Sequence, residues 1–440
     1  MNSNNIINIK DAKKVFIKQS YEDNWEYYNE LLKHSSLTRW DYFIITASNE
    51  KQAEAYRMQL KTRMEQNKLP KGTKYIVISD IEGKRIGSGG ATLSLLRHIY
   101  ELENCDINKF SKLRILVIHS GGDSKRVPQY SAIGKLFSHV PRELPDGRMS
   151  SLFDEMFIAF SGLPARMSSG LVVSAGDELI LFNHIQADLM RDGAVGFSVK
   201  VPVEIGTQHG VYCVGDKDIV KKFLHKASIE KLYAKGAVNK FNYVDLDVGT
   251  IWMSGTLMVK LLSLIINNEY LIDENKFSLF VNDRVRLNFY GDFLFPLTSE
   301  AKLDEYLKEP AEGEWCTELD ICRRKIWDSL NGNPLYIQRL SPSERIHFGT
   351  TKELLNIMTS DIEKYDYLHW QYCTTSLGTV NKSNIINSEI ESGASIGKGC
   401  YIEDSYICSK ATVEDGCIIS NVNLKSKMLI KKGTVLHLLP

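Results

Sequence analysis

A stretch between residues 113 and 135, LRILVIHSGGDSKRVPQYSAIGK, contains residue types that could bind a polyphosphate. It begins with an apolar run from Ile115 to Ile118, which we predict to be a buried strand, and continues into paired glycines and basic residues. Paired glycines allow backbone N–H groups to approach an anion, while arginine and lysine supply charged donors for phosphate oxygens. The candidate ligands are Ser120, Gly121, Gly122, Lys125, Arg126 and Lys135.

The spacing of this stretch matches neither of two familiar glycine motifs. The G-x-x-x-x-G-K-[ST] pattern of a P-loop is missing, and so is G-x-G-x-x-G. A tight turn that carries solvated basic side chains is therefore an alternative to a phosphate site. The surrounding elements favour the phosphate site, because open α/β sheets bind ligands where their strands end.

Two further strand-and-helix units precede this stretch. We predict strands over Asp41 to Ser48 and Lys74 to Asp80, each followed by a helical pattern. Such alternation is typical of a mostly parallel sheet covered by helices on both faces. The second helix opens on a glycine-rich loop, for which we predict nucleotide binding by Gly87, Ser88, Gly89 and Gly90.

Carboxylates and one lysine supply the remaining candidate chemistry. Asp177 interrupts an apolar run from Leu171 to Phe182, at the end of a predicted strand, where it could hold Mg²⁺ against phosphate oxygens or merely cap a turn. Lys200 ends a later strand and is either a phosphate clamp or a solvated lysine. His209, in a glycine-flanked turn, is interpreted as structural. Further carboxylates stand at Asp245, Asp247 and Asp292, and at least one of them is a bystander.

Composition limits the class of protein. The chain has 440 residues, 43% hydrophobic content, and 54 basic and 54 acidic side chains, so it can bury a large core but has no net field to attract nucleic acid or an acidic membrane surface. Its eight cysteines form no C-x-x-C pair, and we read none as a metal ligand. With neither a secretory signal pattern nor a membrane-length apolar run, we expect a soluble, cytoplasmic protein.

The carboxyl-terminal region has an apolar repeat with spacings of five, six and six residues. This period suits a parallel β-helix in which each side of a coil contributes one inward aliphatic residue. A β-sandwich of irregular short strands is the alternative. The predicted inward residues are Ile385, Ile390, Ile396, Ile402, Ile407, Val413, Ile419, Leu424, Ile430 and Leu436.

Five motifs together resemble the fucose-1-phosphate guanylyltransferase family: IGSGGATLSLL, HSGGDSKRVPQYSAIGKLF, VVSAGDELILFN, GDFLFPL and ERIHFGTTKELL. The resemblance covers roughly residues 40–440. The general sugar nucleotidyltransferase signature is G-G-x-G-T-R followed later by P-K, whereas here Asp123-Ser124-Lys125-Arg126 follows the glycines and Gly134 precedes the lysine. That departure is itself similar to the fucose branch.

The resemblance implies a fold and a domain plan. It implies an α/β protein with a mixed, mostly parallel, Rossmann-like nucleotidyltransferase sheet, followed by a left-handed parallel β-helix. We accordingly expect a helical extension over 1–40, a catalytic domain over 41–340, a connector over 341–383 and a β-helix over 384–440. Assembly into a homo-oligomer would use the β-helix.

The resemblance also implies a reaction and residue roles. L-fucose 1-phosphate would attack the α-phosphorus of GTP in line, and GDP-L-fucose and pyrophosphate would form with Mg²⁺ as the cofactor. Arg126 would hold the leaving phosphates and Lys135 the α-phosphate or the sugar phosphate, with Lys200 as a further clamp. Asp177 would bind the metal, with Asp292 as the first choice for a second ligand.

Two other functions stay open at this point. One is the same chemistry on a different pair of sugar 1-phosphate and nucleotide, and the other is a non-catalytic assembly subunit of the same fold. In bifunctional members of the family an L-fucokinase follows this region. We therefore expect a domain separated from a longer protein, with a stand-alone enzyme served by a separate kinase as the alternative.

Overall fold

A computed structural model describes residues 9–122, 124, 126–131, 134–372 and 382–438. The predicted ligand Lys125 lies outside the described residues. The helices are α1 Ile9–Lys33, α2 Glu50–Glu65, α3 Gly87–Leu102, α4 Ile107–Phe110, α5 Leu152–Phe160, α6 Val203–Gly206, α7 Ile229–Ala234, α8 Gly255–Ser263, α9 Glu274–Phe280, α10 Leu303–Tyr306, α11 Thr317–Leu330 and α12 Thr351–Met358. Within the described ranges, none of these helices has the length and apolar character needed to cross a bilayer.

Side-chain caps explain where several helices begin. Asn49 accepts a hydrogen bond from the Gln52 amide at the start of α2, and Thr350 accepts one from the Glu353 amide at the start of α12. Such caps satisfy amides that have no partner within the helix. The caps at Asn49 and Thr350 thus account for the starts of α2 and α12.

A nine-stranded mixed sheet forms the centre of the fold. Its strands are β1 Tyr42–Ala47, β2 Lys74–Ser79, β3 Arg114–His119, β6 Gly170–Ala175, β8 Ala194–Pro202, β9 Gly210–Val214, β10 Val220–His225, β11 Tyr243–Met253 and β12 Leu335–Arg339. Strands β2, β1, β3 and β6 are adjacent and parallel, whereas β11 runs antiparallel to β6, β8 and β9. The predicted parallel βα series is confirmed for the amino-terminal half.

Both faces of the sheet are covered. Ile44 and Ile45 are adjacent in β1 and fully buried, yet they belong to separate apolar clusters, one on each face. Alternate side chains of a strand point to opposite faces, so a strand buried on both sides must be apolar throughout. This explains why the sequence of β1, YFIITA, shows no polar alternation.

Two short pairs of strands flank the sheet. Strand β4 His139–Glu143 pairs with β5 Met149–Ser151, and β7 Glu178–Leu181 pairs antiparallel with β13 Glu344–His347. The long apolar run from Leu171 to Phe182 is therefore two strands, β6 and β7, because it turns at Gly176 and Asp177.

The carboxyl-terminal region consists of three short parallel sheets, which we call the three-sheet unit. Its strands are β14 Asn384–Ile386, β15 Glu389–Ile390, β16 Ser395–Ile396, β17 Tyr401–Glu403, β18 Tyr406–Ile407, β19 Thr412–Val413, β20 Ile418–Ser420, β21 Asn423–Leu424, β22 Leu429–Ile430 and β23 Val435–His437. Ile385, Ile402, Ile419 and Leu436 occupy equivalent positions on one sheet. All ten predicted inward residues lie in or against one apolar cluster, as the spacing predicts.

Candidate active site

The carboxyl ends of β3 and β6 lie side by side at one edge of the sheet. His119, the last residue of β3, is opposite Ala175, the last residue of β6. The Gly176 amide donates to the His119 carbonyl at 2.9 Å. The glycine loop after β3 and the turn at Asp177 therefore leave the sheet next to each other, which is where parallel sheets bind ligands.

The glycine loop is anchored at its start and open further on. The hydroxyl of Thr46 accepts from the amides of Ser120 and Gly121, at 3.2 and 3.4 Å. Gly122 has φ of +119°, and a Cβ built on it would have no atom within 4 Å. A side chain at Gly122 would be strained and would project into open space, so glycine keeps the backbone accessible there.

The loop and the turn line a cleft of about 350 Å³. Six residues predicted from the sequence to form the site are brought together here. The described lining residues are Arg85, His119, Ser120, Gly121, Gly122, Ser124, Arg126, Lys135, Gly176 and Asp177. Burial lowers the pKa of His119 to about 4, so its imidazole is neutral near pH 7, and it lies 3.2 Å from the Thr92 hydroxyl.

Lys135 and Asp177 form an ion pair inside the cleft. The ammonium nitrogen lies 3.1 Å from Asp177 Oδ2 and also donates to the Gly349 carbonyl at 3.0 Å. The Lys135 side chain is only 12% exposed. A largely desolvated lysine that is held by two acceptors is preorganised to meet a phosphate oxygen.

Glycine is required at position 134 because the Tyr56 side chain packs directly against its backbone. It has φ of +72°, and a Cβ on it would lie 1.7 Å from the Tyr56 hydroxyl oxygen. That hydroxyl is hydrogen-bonded to Ser120 Oγ at 2.8 Å. A tyrosine thus ties the glycine loop to the segment before Lys135, which accounts for glycine at the position before the lysine.

The segment from β13 to α12 completes the site, and the sequence did not single out its residues. The Phe348 amide donates to the Asp177 carbonyl, and Thr351 donates to the Arg126 carbonyl through both its amide and its hydroxyl, each at 2.8 Å. His347 Nδ1 lies 3.0 Å from Glu353, and its Nε2 lies 4.0 Å from Asp177. The available signal was the motif ERIHFGTTKELL, which contributed only to the resemblance.

The two acidic residues of β11 have different partners. Asp245 forms a two-point ion pair with Arg339, at 2.7 and 3.0 Å. Asp247 accepts from the Tyr212 hydroxyl at 2.8 Å and the Gly249 amide at 3.1 Å. Burial raises the pKa of Asp247 to about 7, an effect that its hydrogen bonds only partly offset.

Asp247 lies near the carboxyl end of β6, because Thr250 of β11 is opposite Ser174 of β6. The Tyr290 hydroxyl donates to the Gly249 carbonyl at 2.7 Å, and its pKa is raised by burial and by the charges of Asp247, Glu178 and Asp177. His209 lies beside Arg345, with its Nδ1 at 3.4 Å from the guanidinium. Burial and the charge of Arg345 lower the pKa of His209 to about 4, so the imidazole is neutral.

Asp292, the first choice for a second metal ligand, has a buried arginine as its partner. Its carboxylate is 3% exposed, receives Arg323 Nε at 2.9 Å and accepts the Asn288 amide at 2.6 Å. It is not among the described residues that line the cleft. Both oxygens of this carboxylate are therefore occupied by a buried arginine and a backbone amide, which favours a structural role.

Replacing Arg323 by methionine should lower the free energy of unfolding by about 3–5 kcal/mol, because Asp292 would stay buried without its partner. Arg324→Met is the matched control on the next residue of α11. It removes an exposed pair with Asp320, worth about 0.3–0.5 kcal/mol. Urea unfolding of both variants measures the difference, and equal losses would contradict a structural role for the buried pair.

The structure places the first glycine loop, predicted to bind nucleotide, against the protein's own chain. The Gly89 amide donates to the Leu287 carbonyl at 2.7 Å, and Ser88 Oγ accepts the Phe289 amide at 2.9 Å. A Cβ at Gly87 would lie 2.3 Å from the Leu287 carbonyl oxygen. Gly87, Ser88, Gly89 and Gly90 therefore serve close contact between the start of α3 and the protein's own chain, and they do not line the described cleft.

Lys200 lies outside the described lining of the cleft. It is exposed near the end of β8, opposite Asp245 on β11. Its role as a phosphate clamp stays a prediction.

A glycine loop, a half-buried lysine and a carboxylate at the carboxyl edge of adjacent parallel strands are typical of phosphate-binding α/β proteins. The family model "Fucose pyrophosphorylase domain" matches residues 107–440, and the chain belongs to this family. The chain is 30% identical over 439 residues to fucose-1-phosphate guanylyltransferase of Homo sapiens, which covers 90% of this chain and 69% of that protein.

Two further relatives match over similar lengths. Fucose-1-phosphate guanylyltransferase of Mus musculus is 30% identical over 404 residues, covering 83% of this chain and 65% of that protein. The bifunctional fucokinase/GDP-fucose pyrophosphorylase of Arabidopsis thaliana is 27% identical over 434 residues, covering 90% of this chain and 39% of that protein. The chain thus spans about two thirds of the length of the human and mouse relatives.

Proposed function

We propose that the protein makes GDP-L-fucose and pyrophosphate from GTP and L-fucose 1-phosphate. The observation that carries the proposal is the desolvated Lys135–Asp177 pair beside an open glycine loop, in a chain of the fucose pyrophosphorylase family. The names of the human and mouse relatives support the choice of substrates.

In the proposed reaction an oxygen of the sugar phosphate bonds to the α-phosphorus of GTP, and the bond from that phosphorus to the bridging oxygen breaks. Pyrophosphate leaves with the bonding electrons. The protein's part is to hold two anions that repel each other and to stabilise the charge on the reacting phosphorus. We assign the α-phosphate or the sugar phosphate to Lys135 and the leaving phosphates to Arg126.

We propose Asp177 and Asp247 as the residues that would hold Mg²⁺. Carboxylate oxygens suit this ion. Asp177 lines the cleft, and Asp247 stands two residues before Gly249, which lies against Ala175 at the end of β6. When bound, the ion would neutralise phosphate charge. Lys135 and His347 position Asp177, and Tyr212 positions Asp247.

We infer that the three-sheet unit is a left-handed parallel β-helix. Equivalent positions on its first sheet, Ile385, Ile402 and Ile419, pair in parallel register, which supports one strand per side in each coil. Assembly of homo-oligomers through this unit stays a prediction. A fused or separate L-fucokinase as the source of the sugar phosphate is also a proposal, which the name of the plant relative supports.

Pyrophosphate release tests the proposed function. We expect release with Mg²⁺, L-fucose 1-phosphate and GTP, and little with UTP, ATP or CTP, because a hydrogen-bonding base pocket can reject wrong bases by about 10⁴-fold or more. If pyrophosphate were released only with another nucleotide or another sugar phosphate, the proposed mechanism would still hold but the proposed substrates would be wrong. Nucleotide binding without turnover on any sugar phosphate would indicate a non-catalytic subunit.

A further inference from the structure

A second cluster of metal-ligating side chains lies away from the cleft. It consists of His139 on β4, Glu403 at the end of β17 and Asp404 directly after it. One potential ligand atom from each residue lies within 4.8 Å of the other two. His139 Nε2 is 4.0 Å from both Glu403 Oε2 and Asp404 Oδ2, and none of the three residues belongs to the described lining of the cleft.

Glu403 is the unusual member of this cluster. Only 1% of the residue is exposed, and its Oε1 has no hydrogen-bond partner in the part of the chain that the structure describes. Its other oxygen, Oε2, accepts from the Tyr130 hydroxyl at 2.7 Å and from the Tyr401 hydroxyl. A buried carboxylate oxygen without a partner costs free energy, so a ligand that satisfies it would be stabilised there.

The charges of the cluster favour a cation. No lysine or arginine forms an ion pair with Glu403 or Asp404 among the described residues, and the only basic group beside them is the His139 imidazole. Burial would lower the pKa of His139, but the nearby carboxylates of Asp404 and Glu403 raise it. Two carboxylates and one imidazole with an uncompensated oxygen therefore attract positive charge.

We propose that His139, Glu403 and Asp404 bind a divalent transition-metal ion of the Zn²⁺ type. One imidazole nitrogen and two carboxylate oxygens are ligands that Zn²⁺ accepts, whereas Mg²⁺ prefers oxygen ligands alone. Ligand atoms around a tetrahedral Zn²⁺ lie about 3.3 Å apart, given bonds of about 2.0–2.1 Å. His139 Nε2 lies 4.0 Å from Glu403 Oε2 and from Asp404 Oδ2, so the side chains would have to move closer together to bind the ion.

The site would cross-link two parts of the fold. His139 belongs to a strand that follows Lys135 by a few residues, whereas Glu403 and Asp404 belong to the three-sheet unit. Tyr130 bonds to Glu403 and lies in the segment that leads from the glycine loop to Lys135. A bound ion would thus hold the three-sheet unit against the segment that carries the catalytic lysine, which is a structural role independent of the proposed reaction.

The proposal is tested by measuring zinc binding to the full-length protein after metal has been removed. We expect Zn²⁺ to raise the thermal unfolding midpoint of the wild type. Mg²⁺ at equal concentration should not produce a rise that His139→Gln and Asp404→Asn abolish. His139→Gln and Asp404→Asn should each weaken the Zn²⁺ affinity of this site by at least about tenfold, measured by competition with a colorimetric chelator. Co²⁺ should give a visible absorption band that both variants lose.

Asp404→Asn keeps the test valid if His139→Gln folds poorly, because the Asp404 side chain is 45% exposed. His34→Gln is the matched control, since His34 is an exposed histidine that pairs with a single carboxylate, Glu30, at 3.1 Å. It should leave zinc affinity and the cobalt band unchanged. Equal zinc affinity in wild type, His139→Gln and Asp404→Asn would overturn the proposal. A thermal unfolding midpoint of the wild type that does not change when Zn²⁺ is added would also overturn it.

Discussion

Replacement of Lys135 by alanine is expected to lower kcat/KM for pyrophosphate release by about 10²–10³-fold, the range seen when one preorganised donor to a transition-state oxyanion is removed. The ammonium group is largely desolvated and is held by Asp177 and the Gly349 carbonyl, so water cannot replace it at low cost. The loss should fall mainly on the chemical step, because the charge that Lys135 meets grows on the reacting phosphorus.

Steady-state and single-turnover kinetics measure this loss. Lys61→Ala is the control, since it removes the same charge from a side chain that is 73% exposed on α2. It should leave kcat/KM unchanged. If Lys135→Ala turned over at close to the wild-type rate, the cleft would not be the active site.

Asp177→Asn should reduce the rate at fixed Mg²⁺ by on the order of 10²–10³-fold, since a bound cation contributes several kcal/mol of charge stabilisation and each 1.36 kcal/mol is a factor of ten. The amide keeps the size of the side chain but removes the charge that would attract the ion. The Mg²⁺ concentration that gives half-maximal rate should therefore rise, and higher Mg²⁺ should recover part of the activity.

Rates measured across a Mg²⁺ titration separate this outcome from simple misfolding. Asp216→Asn, at an exposed position, is the control and should titrate like the wild type. A normal Mg²⁺ titration curve for Asp177→Asn would remove Asp177 from the metal site and leave Asp247 as the candidate. Thermal unfolding of each variant without substrate checks that the fold is intact.

Local patterns predicted the features that repeat along the chain. The apolar spacing of five, six and six residues predicted the residues of the apolar cluster in the three-sheet unit, because equivalent positions recur on each of its sheets. The βα alternation predicted the parallel half of the sheet, and the glycine-basic stretch predicted the cleft at the end of β3. Fixed strand and helix periods make such features visible in a single sequence.

The sequence did not predict which charged side chains would pair. Asp292 and Asp177 each follow an apolar run, yet one is buried against Arg323 and the other opens into the cleft. The two glycine loops differ in the same way. Gly87 and Gly89 pack against the chain at Leu287, whereas a Cβ on Gly122 would have no atom within 4 Å. Partners so distant along the chain leave no local pattern.

The sequence by itself determined the class of fold, the repeat and the position of the glycine loop, since these depend on the order and spacing of neighbouring residues. Only the tertiary structure decided that Asp292 pairs with Arg323 whereas Asp247 pairs with Tyr212, that β13 supplies His347, and that His139 meets Glu403. The reason is physical: the charge state and the availability of an ionisable group depend on burial and on neighbours brought together by folding.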